Sequence, residues 1–244
     1  MSDTPLDAAL VVLRDRDDPM VGHEVACFTH GTGLSLEILF AIDGQLGARD
    51  LERDLLLFGG SGAYSVLDPI DWVKRGLDFL AEVAHAGVPT WASCFGFQGL
   101  ALAMGGRVER DDSRQRLGAY SVRLTEAGQH DPLLESLPSR FRAQFGHHDH
   151  VVEVPSGVAV LAVTDGPGEA CEAFRVEGTR CWGGQFHPEL NKQGTWERWL
   201  RYRDLYAVGM AEQIEAHLQR ESDTPEPMEI LPRLVQIARE RRGE

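Results

Sequence analysis

The sequence predicts an α/β protein with an open, mostly parallel, twisted sheet that is flanked by helices. Short apolar runs of strand length alternate with segments of helical periodicity, and glycine-rich turns follow the strands. From about residue 117 to 182 the strand-like runs follow one another, which predicts a smaller, partly antiparallel strand region. Beyond residue 189 the apolar residues recur at helical spacing, which predicts a helical C-terminal extension.

In the first half of the chain, strands and helices are predicted to alternate. The apolar run 55–58 leads into Gly59-Gly60-Ser61-Gly62, as is typical of a buried parallel strand that enters a tight loop. Residues 71–85 carry apolar side chains at helical spacing. We predict strands over 8–13, 34–42, 55–58 and 88–92, and helices over about 19–29, over 71–85 and from just after Cys94.

The second half is predicted to contain six short strands that turn residues separate from one another. They cover 120–124, 141–145, 151–154, 158–163, 170–175 and 180–185. Helices are then expected over 195–221, which includes Met210, and over 229–242. We assign residues 1–206 to one domain and 207–244 to a helical extension packed on it.

Composition and charge argue against several classes of protein. The 244 residues are 43% hydrophobic and 25% charged, as in a soluble globular protein. A net charge of −14 argues against binding to nucleic acid or to an anionic membrane surface. The longest apolar run, 158–163, is too short to span a membrane. Because the first residues lack a signal-peptide pattern, we expect a cytoplasmic location.

Cysteine usage points to free thiols. Cys27, Cys94, Cys171 and Cys181 form no C-x-x-C pair and show no metal-type spacing. In a reducing cytosol they should stay reduced, and three of them are expected to be small buried apolar residues. Cysteine spacing thus gives no sign of a metal site, and we expect no metal and no cofactor.

Cys94 stands apart because of its surroundings. The stretch 88–100 predicts a short strand, one thiol at a sharp turn, and then a helix. The first N–H groups of the helix and the helix dipole favour the thiolate, which is the nucleophilic form. Farther along, His187 and Glu189 stand two residues apart in Gly183-Gly184-Gln185-Phe186-His187-Pro188-Glu189. Cysteine, histidine and carboxylate are the parts of an activated nucleophile.

Plainer interpretations exist for each of these features. A lone cysteine in a cytosolic protein is usually a core residue. The loop 59–62 is glycine-rich like a phosphate loop, but it lacks the G-K-[ST] ending. In a strand, His148 and His150 would share one face and could hold a metal.

Four motifs, in order along the chain, resemble those of the class I (triad-type) glutamine amidotransferase family. The motifs are Phe58-Gly59-Gly60-Ser61-Gly62, Ser93-Cys94-Phe95-Gly96-Phe97-Gln98, Gly146-His147-His148-Asp149-His150-Val151 and Gln185-Phe186-His187-Pro188-Glu189. The region that carries the resemblance is roughly residues 51–206, and it is similar to the amidotransferase half of GMP synthase. It implies the flavodoxin-like fold of that family. Ser61 replaces the usual proline of the loop, and His148 replaces the usual glycine of H-G-D.

The resemblance implies hydrolysis of the glutamine side-chain amide to glutamate and ammonia. Cys94 would attack the carboxamide carbon and form a thioester, while His187 would take the thiol proton and return it to the leaving ammonia. In a strand, a spacing of two residues places both side chains on one face, so Glu189 would hold the imidazole of His187 in the useful tautomer. The backbone N–H groups of Gly60 and Phe95 are the expected donors to the oxyanion.

The resemblance also implies a set of substrate contacts. Gln98 is expected to help bind L-glutamine, and Asp149 could pair with the α-ammonium group of the substrate. The backbone at Gly146 and His148 is expected to contribute. The departure at His148 is the one that could alter the substrate pocket.

Three functions compete at this point. The first is a stand-alone glutaminase or amidotransferase that passes ammonia to a separate synthase partner or to an acceptor. The second is a cysteine hydrolase that acts on γ-glutamyl compounds with the same triad, in a pocket that is open past the amide nitrogen. The third is a binding or regulatory protein that kept the fold, and the complete triad argues against it.

Overall fold

The computed structural model describes residues 5–166, 169–206 and 211–243 of the chain. One nine-stranded sheet runs through the molecule, with strands in the order β2-β1-β3-β4-β11-β10-β9-β6-β7, and β5 pairs with β8 in a second, two-stranded sheet. The strands are β1 (Ala8–Val12), β2 (Glu37–Phe40), β3 (Leu55–Phe58), β4 (Thr90–Ser93), β5 (Arg107–Arg110), β6 (Arg116–Leu124), β7 (Arg140–His147), β8 (Asp149–Glu153), β9 (Val158–Thr164), β10 (Cys171–Val176) and β11 (Cys181–Gly184).

Parallel and antiparallel pairing divide the large sheet into two parts. The strands β2, β1, β3, β4 and β11 pair in parallel. The strands β11, β10, β9, β6 and β7 pair antiparallel. Strand β11 therefore joins the two parts and lies beside β4 with Gly184 opposite Ser93.

Helices cover both faces of the sheet, as the alternation of strands and helices predicts. They are α1 (Met20–Thr32), α2 (Asp71–Ala86), α3 (Phe95–Ala103), α4 (Glu126–Gln129), α5 (Lys192–Tyr206), α6 (Ala211–Arg220) and α7 (Ile230–Gly243). Strand β1 shows the two buried faces: Leu10 belongs to the core that includes α7, and Val11 belongs to the core that includes α2 and α3. The fully apolar sequence of β1 follows from this double burial.

The predicted fold class is confirmed, with differences at several elements. Strand β2 is shorter than the predicted run 34–42, and neither β5 nor α4 was predicted. The helix expected over 195–221 is described as α5 and α6, and Met210 lies outside the described residues. The boundary at residue 206 borders those residues, so the division into 1–206 and 207–244 stays a prediction. Within the described ranges, no helix is both long enough and apolar enough to cross a membrane.

Candidate active site

Cys94 occupies a sharp turn between β4 and α3. Its φ of 49° and ψ of −99° are rare for a residue with a side chain, and such strain is characteristic of functional turns. The Cys94 N–H donates to the carbonyl of Gly184 at 2.8 Å, which fixes the turn to the end of β11. Glycine at 96 allows α3 to approach β3, because a Cβ there would lie 2.9 Å from Cβ of Phe58.

His187 and Glu189 follow the end of β11, which lies next to the strand that leads to Cys94. The Nδ1 atom of His187 lies 2.7 Å from Oε1 of Glu189, and both side chains are buried. The sequence interpretation placed the two residues on one face of a strand, but they lie beyond β11, in a turn closed by Leu190 N–H donating to the His187 carbonyl. The turn, and not strand alternation, brings imidazole and carboxylate together.

The carboxylate of Glu189 is held on both oxygens. Its Oε2 accepts from the Ser93 hydroxyl at 3.1 Å, and Ser93 in turn accepts from the indole N–H of Trp91. Burial opposes ionisation of Glu189, but His187 and Arg198 outweigh burial and hold the pKa of the carboxyl at about 2. Glu189 is therefore an anion that orients the imidazole and stabilises its protonated form.

Arg198, on α5, is a site residue that the sequence analysis did not identify. Its guanidinium lies 3.2 Å from Nδ1 of His187 and 3.4 Å from Oε1 of Glu189. It also lies 3.9 Å from a carboxylate oxygen of Glu24. Because Arg198 shares the Glu189 carboxylate with the imidazole, it contributes positive charge beside the histidine.

The loop that carries Gly60 rests on a buried ion pair. Arg14 makes two hydrogen bonds to Glu24, at 3.1 and 2.9 Å, and the two side chains are 2% and 0% exposed. The Gly60 N–H donates to Glu24 at 3.1 Å, and the Gly60 carbonyl accepts from Arg14 at 3.0 Å. Tyr202 accepts from Arg14 at 2.6 Å on the same side. The Gly60 N–H, one of the two expected oxyanion donors, thus points to Glu24 in this structure.

Gly60 nevertheless borders the reacting groups. A Cβ on Gly60 would lie 3.1 Å from Cε1 of His187 and 3.8 Å from Cβ of Cys94. The second expected oxyanion donor, the Phe95 N–H, forms a hydrogen bond that favours the thiolate form of Cys94. Burial, and then Glu189, nevertheless raise the pKa of the Cys94 thiol to about 12, so the resting residue is a thiol and needs a base.

Two pockets meet at Cys94. The polar pocket is lined by Ser61, Gly62, Ala63, Tyr64, Ser65, Asp68, Cys94, Phe95, Gln98, Arg110, Gly146, His147, His148 and Asp149. The apolar pocket is lined by Arg14, Gly60, Ser61, Gly62, Cys94, Leu117, Phe145, Gly146, His187, Leu190, Thr195, Arg198, Trp199 and Tyr202. Four residues belong to both linings: Ser61, Gly62, Cys94 and Gly146. The Cys94 sulfur lies 3.6 Å from the Gly146 carbonyl oxygen.

The four residues predicted as substrate contacts all line the polar pocket. Gln98 donates to the backbone carbonyl of Asp149 at 2.8 Å. Asp149 is buried; its Oδ2 accepts from the Ser65 hydroxyl at 2.5 Å, and its Oδ1 has no hydrogen-bond partner among the described residues. His148 lies 2.9 Å from Asp112. Their roles toward a substrate stay predictions.

The histidines of residues 147–150 point in different directions. The rings of His147 and His150 meet edge to face at 4.7 Å, whereas His148 pairs with Asp112. Nowhere in the described part of the chain do three or more His, Cys, Asp or Glu side chains form a group that could hold a metal. Burial, and then the charge of Arg114, lower the pKa of His150 to about 4, and burial also lowers that of His147.

The free energy of unfolding is expected to decrease as the pH is lowered from about 6.5 to about 4, in part because of His150. The unfolded chain binds a proton on this histidine near pH 6.5, while the folded chain binds it only near pH 4, so acid favours unfolding. We expect His150→Gln to reduce the loss of unfolding free energy between pH 7 and pH 5 by about 1–2 kcal/mol. Urea unfolding at both pH values measures this, and an unchanged loss in the variant would contradict it.

The fold and the site together define the class of protein: an α/β protein that presents a cysteine at an elbow beside a histidine–carboxylate pair, as acyl-transfer enzymes do. The chain belongs to the class I glutamine amidotransferase family. The model of that family matches residues 42–202, well over half of the chain.

Relatives of known name are longer proteins. The chain is 36% identical over 145 residues to GMP synthase [glutamine-hydrolyzing] of Porphyromonas gingivalis, a match that covers 59% of this chain and 26% of the relative. It is 33% identical over 123 residues to the protein of the same name in Thermosipho melanesiensis, covering 50% of this chain and 23% of the relative. The chain thus spans about a quarter of the length of these curated relatives.

Solved structures share the fold over nearly the whole length. A glutamine amidotransferase of Thermotoga maritima superimposes with a TM-score of 0.70 at 19% identity, covering 94% of this chain and 96% of that one. The glutaminase domain of Trypanosoma brucei CTPS, with bound acivicin, gives 0.58 at 16% identity and covers 94% of each chain. These likenesses establish the fold.

One sequence signal could have revealed Glu24. Met20, Glu24 and Phe28 are spaced four apart, so they share one face of α1, and all three are buried. A glutamate on the apolar face of a helix needs a buried cation, which here is Arg14. Arg198 carries no comparable signal, because its position depends on how α5 packs.

Proposed function

We propose that this protein hydrolyses the side-chain amide of L-glutamine through a triad of Cys94, His187 and Glu189. The observation that carries the proposal is that the strained Cys94 elbow and His187 line the same pocket, while His187 is paired with Glu189 at 2.7 Å. Family membership adds the substrate class. The long GMP synthase relatives are named as glutamine-hydrolysing.

In the first half-reaction, His187 takes the proton of the Cys94 thiol and the sulfur attacks the amide carbon. This base is required because the pKa of the buried thiol is about 12. The Glu189 anion stabilises the imidazolium that forms. His187 then gives the proton to the leaving nitrogen, and ammonia departs from a γ-glutamyl thioester on Cys94.

In the second half-reaction, water attacks the thioester with His187 again as base, and glutamate leaves. The tetrahedral intermediates carry a negative oxygen, for which the Phe95 N–H and the Gly60 N–H are the proposed donors. The Gly60 N–H would have to turn from Glu24 toward the pocket to take this role.

The ammonia would pass to a separate synthase partner or to another acceptor. This proposal is based on the longer relatives. The chain matches about a quarter of the length of proteins whose name combines a synthase with glutamine hydrolysis.

The test is to incubate the purified chain with L-glutamine and to measure glutamate and ammonia together. We expect equal amounts of the two products, and we expect the glutamine-like electrophile diazo-oxo-norleucine to add to Cys94 and to stop the reaction. Peptide mass spectrometry locates the adduct. Absence of glutamate formation together with an unlabelled Cys94 would reject the proposed function.

Gly60→Ala is expected to lower kcat for glutamine about tenfold or more, because the added methyl group would press on the His187 ring at 3.1 Å and displace it. The fold should persist, since Gly60 does not have a positive φ. The matched control is Gly76→Ala in α2, where a Cβ meets no atom within 4 Å. Equal kcat values for the two variants would contradict the placement of Gly60.

A further inference from the structure

The polar pocket carries the groups that a γ-glutamyl moiety needs. Asp149 is 7% exposed and has its Oδ1 unpartnered among the described residues, so it can accept an α-ammonium group. Arg110, on β5, stands opposite Asp149 on β8 in the strand register and lines the same pocket. Its guanidinium is half-exposed and its contact with Asp112 is long, at 3.4 Å, so it suits an α-carboxylate as an additional partner. The amino-acid end of a substrate therefore belongs on this side of Cys94.

The leaving nitrogen belongs on the other side. His187 lines the apolar pocket, and this histidine must hand its proton to the nitrogen that departs. A substituent on that nitrogen would extend from Cys94 into the apolar pocket. Ammonia needs no such space.

The lining of the apolar pocket matches a hydrocarbon group. Leu117, Phe145, Leu190 and Trp199 contribute apolar surface. Three polar groups of the lining already have partners: Arg14 pairs with Glu24, Arg198 with Glu189, and the Thr195 hydroxyl donates to the Asn191 carbonyl. A charged substituent would compete with these pairs, whereas an alkyl group would not.

The volume of the apolar pocket limits the size of that group. The cavity measures about 40 Å³. One water needs roughly 10–15 Å³ measured in this way, and an engineered cavity that holds benzene has about 150 Å³. A chain of one or two carbons fits this space, and an aromatic ring does not.

We propose that the same centre hydrolyses γ-glutamyl amides of short alkylamines, such as the methylamide and the ethylamide, with the alkyl group in the apolar pocket. The inference rests on the proposed function, since it uses the same triad. The carbon–sulfur bond to Cys94 forms as the carbon–nitrogen bond breaks, and the thiol proton leaves on the amine by way of His187. Water then cleaves the thioester, which releases glutamate and restores the thiol.

The experiment compares kcat/KM for L-glutamine, γ-glutamyl ethylamide and γ-glutamyl p-nitroanilide on one preparation of the protein. We expect the ethylamide to lie within about tenfold of glutamine, and the anilide to lie at least about tenfold below the ethylamide despite its better leaving group. An ethylamide value below this range, with glutamine hydrolysed, would overturn the inference and leave the proposed function standing. An anilide that reacts as fast as the ethylamide would overturn the size limit.

The remaining outcomes separate the two proposals. Hydrolysis of the ethylamide without hydrolysis of glutamine would support the pocket and overturn the proposed function. Hydrolysis of neither would overturn both.

Leu117 offers a pair of opposite substitutions. It lies on β6 opposite Gly146, whose carbonyl contacts the Cys94 sulfur, and it belongs to the pocket lining. Leu117→Phe is expected to lower the ratio of ethylamide to glutamine turnover by about tenfold, and Leu117→Ala to raise the ratio of anilide to ethylamide turnover by a similar factor. Ratios within one preparation do not depend on the folded fraction. Unchanged ratios in both variants would overturn the assignment of the pocket.

Discussion

Cys94→Ala is expected to lower the rate of glutamate release from glutamine by about 10⁴-fold or more, because the covalent route through the thioester is lost. Alanine keeps the Cβ of Cys94, so the strain of the turn is unchanged and the comparison isolates the sulfur. Initial rates at saturating glutamine measure the effect. A variant that retains a tenth of the wild-type rate would remove Cys94 from the mechanism.

Cys171→Ala is the matched control for this prediction. Both thiols are buried, and burial raises the pKa of each to about 12, so thiol acidity does not distinguish them. What distinguishes them is placement, since Cys171 lies in β10 and not at the Cys94 elbow. The Cys171 variant should keep the wild-type rate within about threefold, as expected for a small change away from the site.

Glu24→Ala is expected to lower the free energy of unfolding by about 3–5 kcal/mol, because the buried Arg14 guanidinium loses its closest carboxylate and, among the described residues, keeps only Asp18, 3.6 Å away. The Gly60 N–H also loses its acceptor. Urea unfolding followed by circular dichroism measures the loss. A change below about 1 kcal/mol would show that Arg14 finds another anion or water.

Two further variants sharpen this result. Glu82→Ala removes an exposed glutamate from α2 and should change stability by less than about 0.5 kcal/mol. The double variant Arg14→Met with Glu24→Leu removes both charges of the pair and should be more stable than Glu24→Ala alone, because no guanidinium is left buried without its closest carboxylate. If the double variant is less stable than Glu24→Ala, the loss of stability comes from losing the Arg14–Glu24 pair itself and not from leaving Arg14 without Glu24.

The parts of the fold that follow local rules were predicted well. The apolar run of β3 was placed at its exact bounds, and the helical spacing after Asp71 placed α2 to within one residue. Strand β5 was missed because three of its four residues are arginine or glutamate, and its pairing with β8 is decided by the tertiary structure. The local sequence of β5 does not indicate which strand it pairs with.

The candidate site shows the same division. Cys94, His187 and Glu189 stand in short motifs that a reader of the sequence can recognise, and the structure brings them to one place. Arg198 lies on a helix whose apolar pattern is weak, so nothing local marks it as a neighbour of His187. The direction of the Gly60 N–H depends on Glu24, which is remote in sequence, and the sequence alone leaves it open.

The packing of α7 has a consequence for how the chain folds as it is made. Ile230, Leu231 and Leu234 share one core with Leu10 of β1 and Phe28 of α1. A ribosome that adds about 5–20 residues per second would need roughly 10–45 s to pass from β1 to α7, and throughout that interval this face of the sheet lacks α7, although α1 is already available to cover part of it. The strands that frame Cys94 thus emerge well before the helix that completes their core. The nascent chain is expected to depend on chaperones during this interval.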